Sequence, residues 1–370
     1  MDNISRFADE LGPAKIIQVY EPAIGLKAVL VVDNVAIGPA LGGVRLAPDV
    51  SVEECFRLAR AMTLKNAAAG LAHGGGKVVV SGDPNLPRPA KERLIRALAG
   101  ALRNEQDYIF APDMGTDEEC MAWIKDEIGR VVGLPAEIGG IPLDEIGATG
   151  WGLCQATEIA VPYCGFGLEK ARVVIQGFGA VGRHAARFLA QKKAVLVGVA
   201  DSRGAIYCAD GLDVDALWRL KAAGQSITSY PKGRKVERDA IVEYDCDILV
   251  PAARPDVINA DNMSRVKAKL IVEGANIPLT DEAEKYLHAK GILCLPDFIA
   301  NAGGVICAAM EYQKARQADV FAVISEKVRH NTRLMLAEAK AKNILPREAA
   351  TNLAVQRVKK AMSYKRWSIF

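Results

Sequence analysis

The chain has 370 residues, half of them apolar and a quarter charged, with a formal net charge of +3. That length exceeds one ordinary hydrophobic core, so two domains of ordinary globular composition are expected. So small a net charge gives no electrostatic ground for nucleic acid, no apolar run approaches membrane-spanning length, and the eight cysteines form no CxxC pair and no cluster with the four histidines, so neither a metal site nor a disulfide framework is indicated.

The opening stretch MDNISRFADELG mixes both charge signs and lacks an apolar secretory segment; with small buried-type thiols it points to a soluble cytoplasmic protein. Residues 14–37 alternate as two strands around turn chemistry at Pro22 and Gly25. GPALGGVR, residues 38–45, reads as a loop. Ser51 with Glu54 reads as a capping box opening a helix whose apolar stripe runs Cys55, Leu58, Ala59, Met62 and then Lys65, which would therefore point inward. Lys77 follows Gly74, Gly75 and Gly76 and precedes Val78–Val80, which reads as a glycine turn at the mouth of a buried strand. Two snorkelling lysines would explain this blandly. Two ammonium groups in one dry cleft would instead lower each other's pKa, as suits a lysine acting as a base. A helix over residues 90–103 is followed by a short strand ending at Phe110, then Asp113, with Thr116 as the expected N-cap of a helix through Ile124.

Glycine-rich residues 139–152 are expected as a loop at the domain boundary. Beyond it, the strand 171–176 runs into Gly177, Phe178, Gly179, Ala180, Val181 and Gly182, then a helix, then a strand 194–200 ending at Asp201. Strand, GxGxxG, helix, strand and terminal acid in that order make a dinucleotide-binding unit. Asp201 would accept hydrogen bonds from the adenosine ribose and repel a 2′-phosphate, favouring NAD, although Arg203 leaves room for NADP. Apolar strands at 246–253, 269–276 and 292–298 break at their carboxyl ends as in a doubly wound sheet, with Asn276 and Asn301 as short amides there. From Val305 the chain turns helical.

The signatures GPALGGVR, MTLKNAAAGLAHGGGK, APDMGT, ATGWG, GFGAVG, EGAN and PDFIANAGGV, in this order, resemble the glutamate, leucine, phenylalanine and valine dehydrogenase family over nearly the whole length. The resemblance implies an α/β protein of two domains with a cleft between them. An N-terminal substrate and oligomerisation domain would span 1–145 plus C-terminal helices from about 331 to 370, and a Rossmann NAD-binding domain 146–330. It also implies reversible oxidative deamination of an L-amino acid to its 2-oxo acid and ammonia, in a homo-oligomer (dimer, hexamer or octamer). Carried across by motif, Lys65 resembles the lysine that holds the substrate α-carboxylate, Lys77 the catalytic lysine and Asp113 its carboxylate partner. Thr149, Asn276, Ser202 and Ala252 join the fingerprint and Asp201 as cofactor contacts, and Arg45 would approach the cofactor. Gly42, Asn301 and Val305 are expected near the substrate. Trp151 departs from the arginine common in the glutamate members.

Two further departures bear on the substrate. In the glutamate members the positions of Leu41 and Ala308 resemble a lysine and a serine that bind the side-chain carboxylate. With Leu41, Ala111, Val305 and Ala308 the wall is apolar, and the expected substrate is a leucine- or valine-like amino acid, possibly phenylalanine; glutamate is the alternative. A 2-hydroxy acid dehydrogenase is disfavoured because no histidine–carboxylate pair is evident. A non-catalytic nicotinamide-binding relative is disfavoured by the intact Lys65, Lys77 and Asp113.

Overall fold

The computed structural model describes residues 5–365; residues 1–4 and 366–370, expected in the N-terminal domain, lie outside the described residues. The chain divides into two compact units. One comprises the chain up to Pro142, Val305–Asp319 and the chain from Thr351; the other comprises Leu143–Gly304 and Val320–Ala350.

The first unit holds a five-stranded mixed sheet in the order β1-β2-β4-β3-β5: β1 Lys15–Glu21, β2 Leu26–Asn34, β3 Ala40–Ala47, β4 Gly74–Ser81 and β5 Tyr108–Pro112. β3 runs parallel to both β4 and β5, while β1 and β2 pair antiparallel. One face packs on helices α2 (Arg88–Ala101) and α3 (Glu118–Ile128) through Leu94, Ile95, Leu98, Met121 and Ile124. The other receives α1 (Val52–Ala68) through Cys55, Phe56 and Ala59.

Two segments expected as loop and turn are strands. GPALGGVR contributes β3, and Gly74–Gly76 are the first residues of β4. The glycines serve packing. A Cβ at Gly42 would lie 1.9 Å from the Gly76 carbonyl oxygen, and one at Gly75 1.9 Å from the Thr63 amide nitrogen. Backbone therefore meets backbone where any side chain would hold strand and helix apart. The N-cap of α3 is Asp117, accepting from the Cys120 N–H at 2.9 Å, one residue beyond the expected Thr116. Thr116 instead donates its hydroxyl to the Val44 carbonyl.

The second unit holds seven strands in the order β12-β11-β10-β6-β7-β8-β9. β6 (Arg172–Gln176), β7 (Val195–Asp201), β10 (Ile248–Pro251), β11 (Leu270–Val272) and β12 (Leu293–Leu295) are parallel, whereas β8 (Gly204–Tyr207) and β9 (Arg234–Val236) add an antiparallel edge. The strand order reverses about β6, which places the switch point of the sheet at that strand's carboxyl end.

After a short α4 (Leu143–Ile146), the ATGWG segment is helical, opening α5 (Ala148–Ala160), where a boundary loop was expected. A Cβ at Gly150 would lie 2.7 Å from the Ala185 amide, so this glycine lets α5 press against α6 (Ala180–Gln191). Trp151 is structural: its indole N–H donates to the Phe321 carbonyl and Ser325 hydroxyl, each at 2.9 Å, and its ring stacks on Phe321. The remaining helices are α7 (Val214–Ala222), α8 (Asp281–Ala289), α9 (Asp297–Ala300), α10 (Gly303–Tyr312), α11 (Val320–Lys342) and α12 (Pro346–Met362). The C-terminal division differs from the expected one. Residues 331–350 stay with the second unit because α11 packs along α5, with Arg329 reaching Gln155 and Glu158, and the chain rejoins the first unit from Thr351.

Candidate active site and dinucleotide-binding unit

In the first unit, β4 carries Lys77 within the sheet, between Val31 of β2 on one side and β3 on the other. Its side chain is 7% exposed, and its ammonium donates to the Asp113 carboxylate just beyond β5. Gly43 makes the room. A Cβ there would lie 2.7 Å from the Asp113 Cβ and 3.1 Å from the Lys77 Nζ. Asp113 is held by its own turn: its amide donates to the Thr116 hydroxyl, and its carboxylate accepts from the Met114 amide at 2.6 Å.

Arg45 reaches the other carboxylate oxygen of Asp113 at 3.5 Å and pairs with Glu54 in the first turn of α1. Ser51 caps this helix as its spacing indicated, but the Glu54 carboxylate goes to Arg45. The expectation that Arg45 serves the cofactor thus meets a side chain engaged beside Lys77 and Asp113. Burial above all, then the Arg45 cation, lowers the Lys77 pKa to about 7; Lys65 adds to this, while Cys55 and Glu54 oppose it. Contact with Asp113 also favours the ammonium.

Lys65, in the last turn of α1, is half-buried. The buried face of the helix is Cys55, Phe56, Ala59, Thr63, Asn66 and Ala67, so Lys65 stands at the edge of that face, and half-buried Leu58 and Met62 share that position. The stripe was misplaced because the closest approach to the sheet falls on Thr63, opposite Gly75.

Leu41, Ile109, Val132 and Ala308 form a separate buried cluster, with Met62 and Ala111 packed against it. Gly42 is buried beside it in β3. Val305, expected in the same wall, is half-buried one turn before Ala308 and outside the cluster. Glu311, three residues past Ala308, fixes α10: its buried carboxylate accepts the N–H groups of Gly133, Leu134 and Ile141 at 2.8, 3.1 and 2.9 Å. The segment carrying Val132 is thereby tied to the helix carrying Ala308. Neither Glu311 nor Gly43 was singled out by the sequence, although Gly43 lies inside GPALGGVR and Glu311 three residues past Ala308.

The second unit gathers the fingerprint. Gly177 takes φ +104°, and a Cβ there would strike Ala252 and Ala253. A Cβ at Gly182 would lie 1.8 Å from the Gly177 carbonyl oxygen, so this glycine lets α6 close on β6. Around exposed Gly179 no atom would meet a Cβ within 4 Å, and α6 begins there with no side-chain cap. Tight turn, open approach and helix N-terminus are what a pyrophosphate needs, so the residues fit a nicotinamide dinucleotide. Phe178 is buried beneath the turn; Ala180 and Val181 open the helix.

Asp201 ends β7 as expected, yet its carboxylate is occupied. It accepts from the amides of Arg203 (2.8 Å) and Ile227 (3.2 Å), the Lys221 ammonium (3.1 Å) and the Ser226 hydroxyl (3.2 Å), with the side chain 3% exposed. Burial opposes its charge, but the two amides and Lys221 outweigh burial and hold the carboxyl below its usual range. Ser202 beside it is exposed. At the other strand ends, half-buried Ala252 follows β10, with its amide on the Gln176 carbonyl at 2.7 Å. Asn301 donates to the Asn276 side-chain oxygen at 3.1 Å, bringing the two amides together. Thr149, in the first turn of α5, faces Gly304, where a Cβ would lie 3.0 Å from its hydroxyl. Among the described residues no group of three or more His, Cys, Asp or Glu could hold a metal ion, and no helix is long and apolar enough to cross a membrane.

Comparison with known proteins agrees with this inventory. The chain is 39% identical over 359 residues to the glutamate dehydrogenase of Aeropyrum pernix, covering 90% of this chain and 85% of that one. It is 39% identical to the NADP-specific glutamate dehydrogenase of Saccharolobus shibatae, covering 78% and 71%. Its fold matches the Leu-bound hetero-hexameric glutamate dehydrogenase of Thermus thermophilus with a TM-score of 0.83 and 31% identity, covering 95% and 90%. Residues 13–130 match the dimerisation domain of Glu/Leu/Phe/Val dehydrogenases and residues 139–366 the glutamate/leucine/phenylalanine/valine dehydrogenase model. The chain belongs to the glutamate/leucine/phenylalanine/valine dehydrogenase family.

Proposed function

We propose that this amino acid dehydrogenase uses Lys77 as its base and Asp113 as its proton carrier in the reversible oxidative deamination of an L-amino acid. The observation that carries the reading is the buried Lys77 ammonium on the Asp113 carboxylate, beside Arg45 and with a pKa lowered to about 7. A bound nicotinamide dinucleotide supplies the hydride acceptor. Neutral Lys77 takes a proton from water as that water adds to the oxidised Cα. Asp113 passes protons to and from the departing nitrogen, and its turn at Thr116 keeps it in place. Lys65 offers an ammonium for the α-carboxylate. Thr149, Asn276 and Ala252 would contact the cofactor, and Asn301 the substrate.

For the substrate, glutamate comes first, because both relatives at 39% identity bear that name. A second reading, an apolar amino acid, rests on the Leu41–Ile109–Val132–Ala308 cluster, which offers a side-chain carboxylate neither charge nor hydroxyl. Burying an unpaired carboxylate there would cost several kcal/mol. NAD is the first cofactor to test. NADP is a full alternative, because the donors around Asp201 offset its repulsion of a 2′-phosphate. Self-association through the region of residues 13–130 is proposed, with six subunits the number to test by light scattering.

Absorbance at 340 nm with glutamate, leucine, valine and phenylalanine, each with NAD and then NADP, tests the activity, the order of substrates and the cofactor. Absence of turnover on every pair, and of ammonia-dependent NADH oxidation, would leave a binding protein. A leucine rate above the glutamate rate would reverse the order of the substrate readings.

A further inference from the structure

We infer that Arg347 is a positioning residue for the dinucleotide, holding in register the two loops that carry Asn276 and Asn301. The inference rests on the proposed role of Asn276 as a cofactor contact. Arg347 lies in the first turn of α12, where a cation opposes the helix dipole, so its placement calls for a tertiary reason. The reason is on three sides of it. Its Nε donates to Glu284 of α8 at 2.7 Å, one terminal nitrogen to Asp297 at the start of α9 at 3.0 Å, and the other to Glu273 just after β11 at 2.7 Å. The side chains of Glu273, Glu284 and Asp297 are 0%, 4% and 9% exposed. Three buried carboxylates converge on one guanidinium, whose planar fork supplies a separate N–H to each.

Two of these acids belong to the loops in question. Glu273 opens the segment Glu273–Asn276, and its carboxylate also accepts the Asp297 amide at 3.1 Å. Asp297 opens the turn that ends at Asn301, whose amide donates to the Asp297 carbonyl at 2.7 Å. The second oxygen of Asp297 accepts the amide of Ile277 at 3.0 Å. Ile277 has φ +50°, a left-handed conformation that a β-branched residue adopts only under constraint. It directly follows Asn276, so the Asp297 carboxylate pins the strained residue beside the proposed contact. Asn301 closes the arrangement by donating to Asn276. Burial above all raises the Glu273 pKa to about 8 against the pull of Arg347; remove the guanidinium and three buried acids face one another without a counter-charge, with the Ile277 clamp among them.

The test is fluorescence titration of the full-length protein with NADH and, in parallel, NADPH, using Asn276→Ala, Asp297→Asn, Arg347→Lys and Arg347→Met. Asp297→Asn and Arg347→Met should each raise the dinucleotide Kd by about tenfold, the scale of one charge-assisted hydrogen bond. Both should raise the cofactor KM by about the same factor and the amino-acid KM by a smaller one, because Asn301, the proposed substrate contact, ends the turn that Asp297 opens. Arg347→Lys should recover only part, because an ammonium cannot serve three carboxylates in one plane. If Arg347→Met does not fold, Asp297→Asn decides, since it keeps the side-chain volume and leaves Arg347 its bonds to Glu273 and Glu284. Folded variants with wild-type Kd, or an equal rise in both KM values, overturn the positioning role. Wild-type binding by Asn276→Ala overturns the cofactor contact itself. Weakened binding in Asn276→Ala alone overturns only the role of Arg347.

Discussion

Replacing Arg45 with Gln should move the working pH of the enzyme upward. Lys77 and Arg45 contact opposite oxygens of Asp113, so their charged groups stand roughly 6 Å apart, and at an effective dielectric of about 20 their repulsion is about 2.8 kcal/mol, or about two pK units. The Arg45 side chain is 18% exposed and Asp113 lies between the two cations, so about one unit is the realistic shift. The sign follows from the proposed role of Lys77 as the base. Arg45 disfavours the Lys77 ammonium, so its loss raises the Lys77 pKa and a higher pH is needed to form the neutral base. The acid limb of kcat/KM against pH for amino-acid oxidation reports that ionisation in the free enzyme. It should shift up by about one unit in Arg45→Gln. Glu54→Gln should shift it the other way, because Glu54 favours the ammonium. A stationary limb in Arg45→Gln, or shifts of the same sign in both variants, would refute the electrostatic account of Lys77.

Lys77→Met should abolish turnover while NADH still binds, since the fingerprint Gly177–Gly182 belongs to the other unit; near wild-type turnover would remove Lys77 from the mechanism. Because folding depresses the Lys77 pKa, the unfolded chain binds more protons between pH 7 and 10.5, so the wild-type Tm gains with pH across that window and Lys77→Met should lack that gain. Asp201→Ser should change the NADP to NAD preference by less than about tenfold, because the carboxylate it removes already has four donors; a larger switch in kcat/KM would mean that Asp201 turns towards the ribose on binding. Leu41→Lys with Ala308→Ser should raise glutamate over leucine by about 1–3 kcal/mol in kcat/KM, more than either change alone, and no change in the ratio would detach this cluster from the substrate.

The second unit was legible in the sequence because its pattern is local. β6, Gly177–Gly182, α6 and β7 follow one another within thirty residues, and Gly182 serves the Gly177 carbonyl five residues before it. The first unit hides its logic in distant pairs. GPALGGVR and the triplet Gly74–Gly76 read as loop and turn because glycine lowers strand propensity. They form strands because Gly42 must pass the Gly76 carbonyl and Gly75 must admit Thr63, relations that no window of sequence contains. Asp201 shows the converse limit. Its position at the end of β7 was foreseen, but its donors Lys221, Ser226 and Ile227 lie twenty and more residues on. Arg347, seventy-four residues past Glu273, had no sequence signal beyond its awkward place at a helix start.

One helix and three strands account for how a buried lysine comes to face a carboxylate among valines. α1 brings Glu54 at its start, Cys55 against the Lys77 carbonyl and Lys65 at its end. β3 brings Arg45 together with Gly43, the residue without which Asp113 would have no place beside Lys77. The inner set of Lys77, Arg45, Asp113 and Glu54 sums to zero charge when all four are ionised. A proton passed from Lys77 to Asp113 leaves that sum unchanged, whereas one lost to solvent leaves the set at minus one around a buried Lys77. Because the first transfer leaves the charge balanced, it is the easier of the two. A proton kept within the pair in this way fits the roles proposed for Lys77 as base and Asp113 as proton carrier.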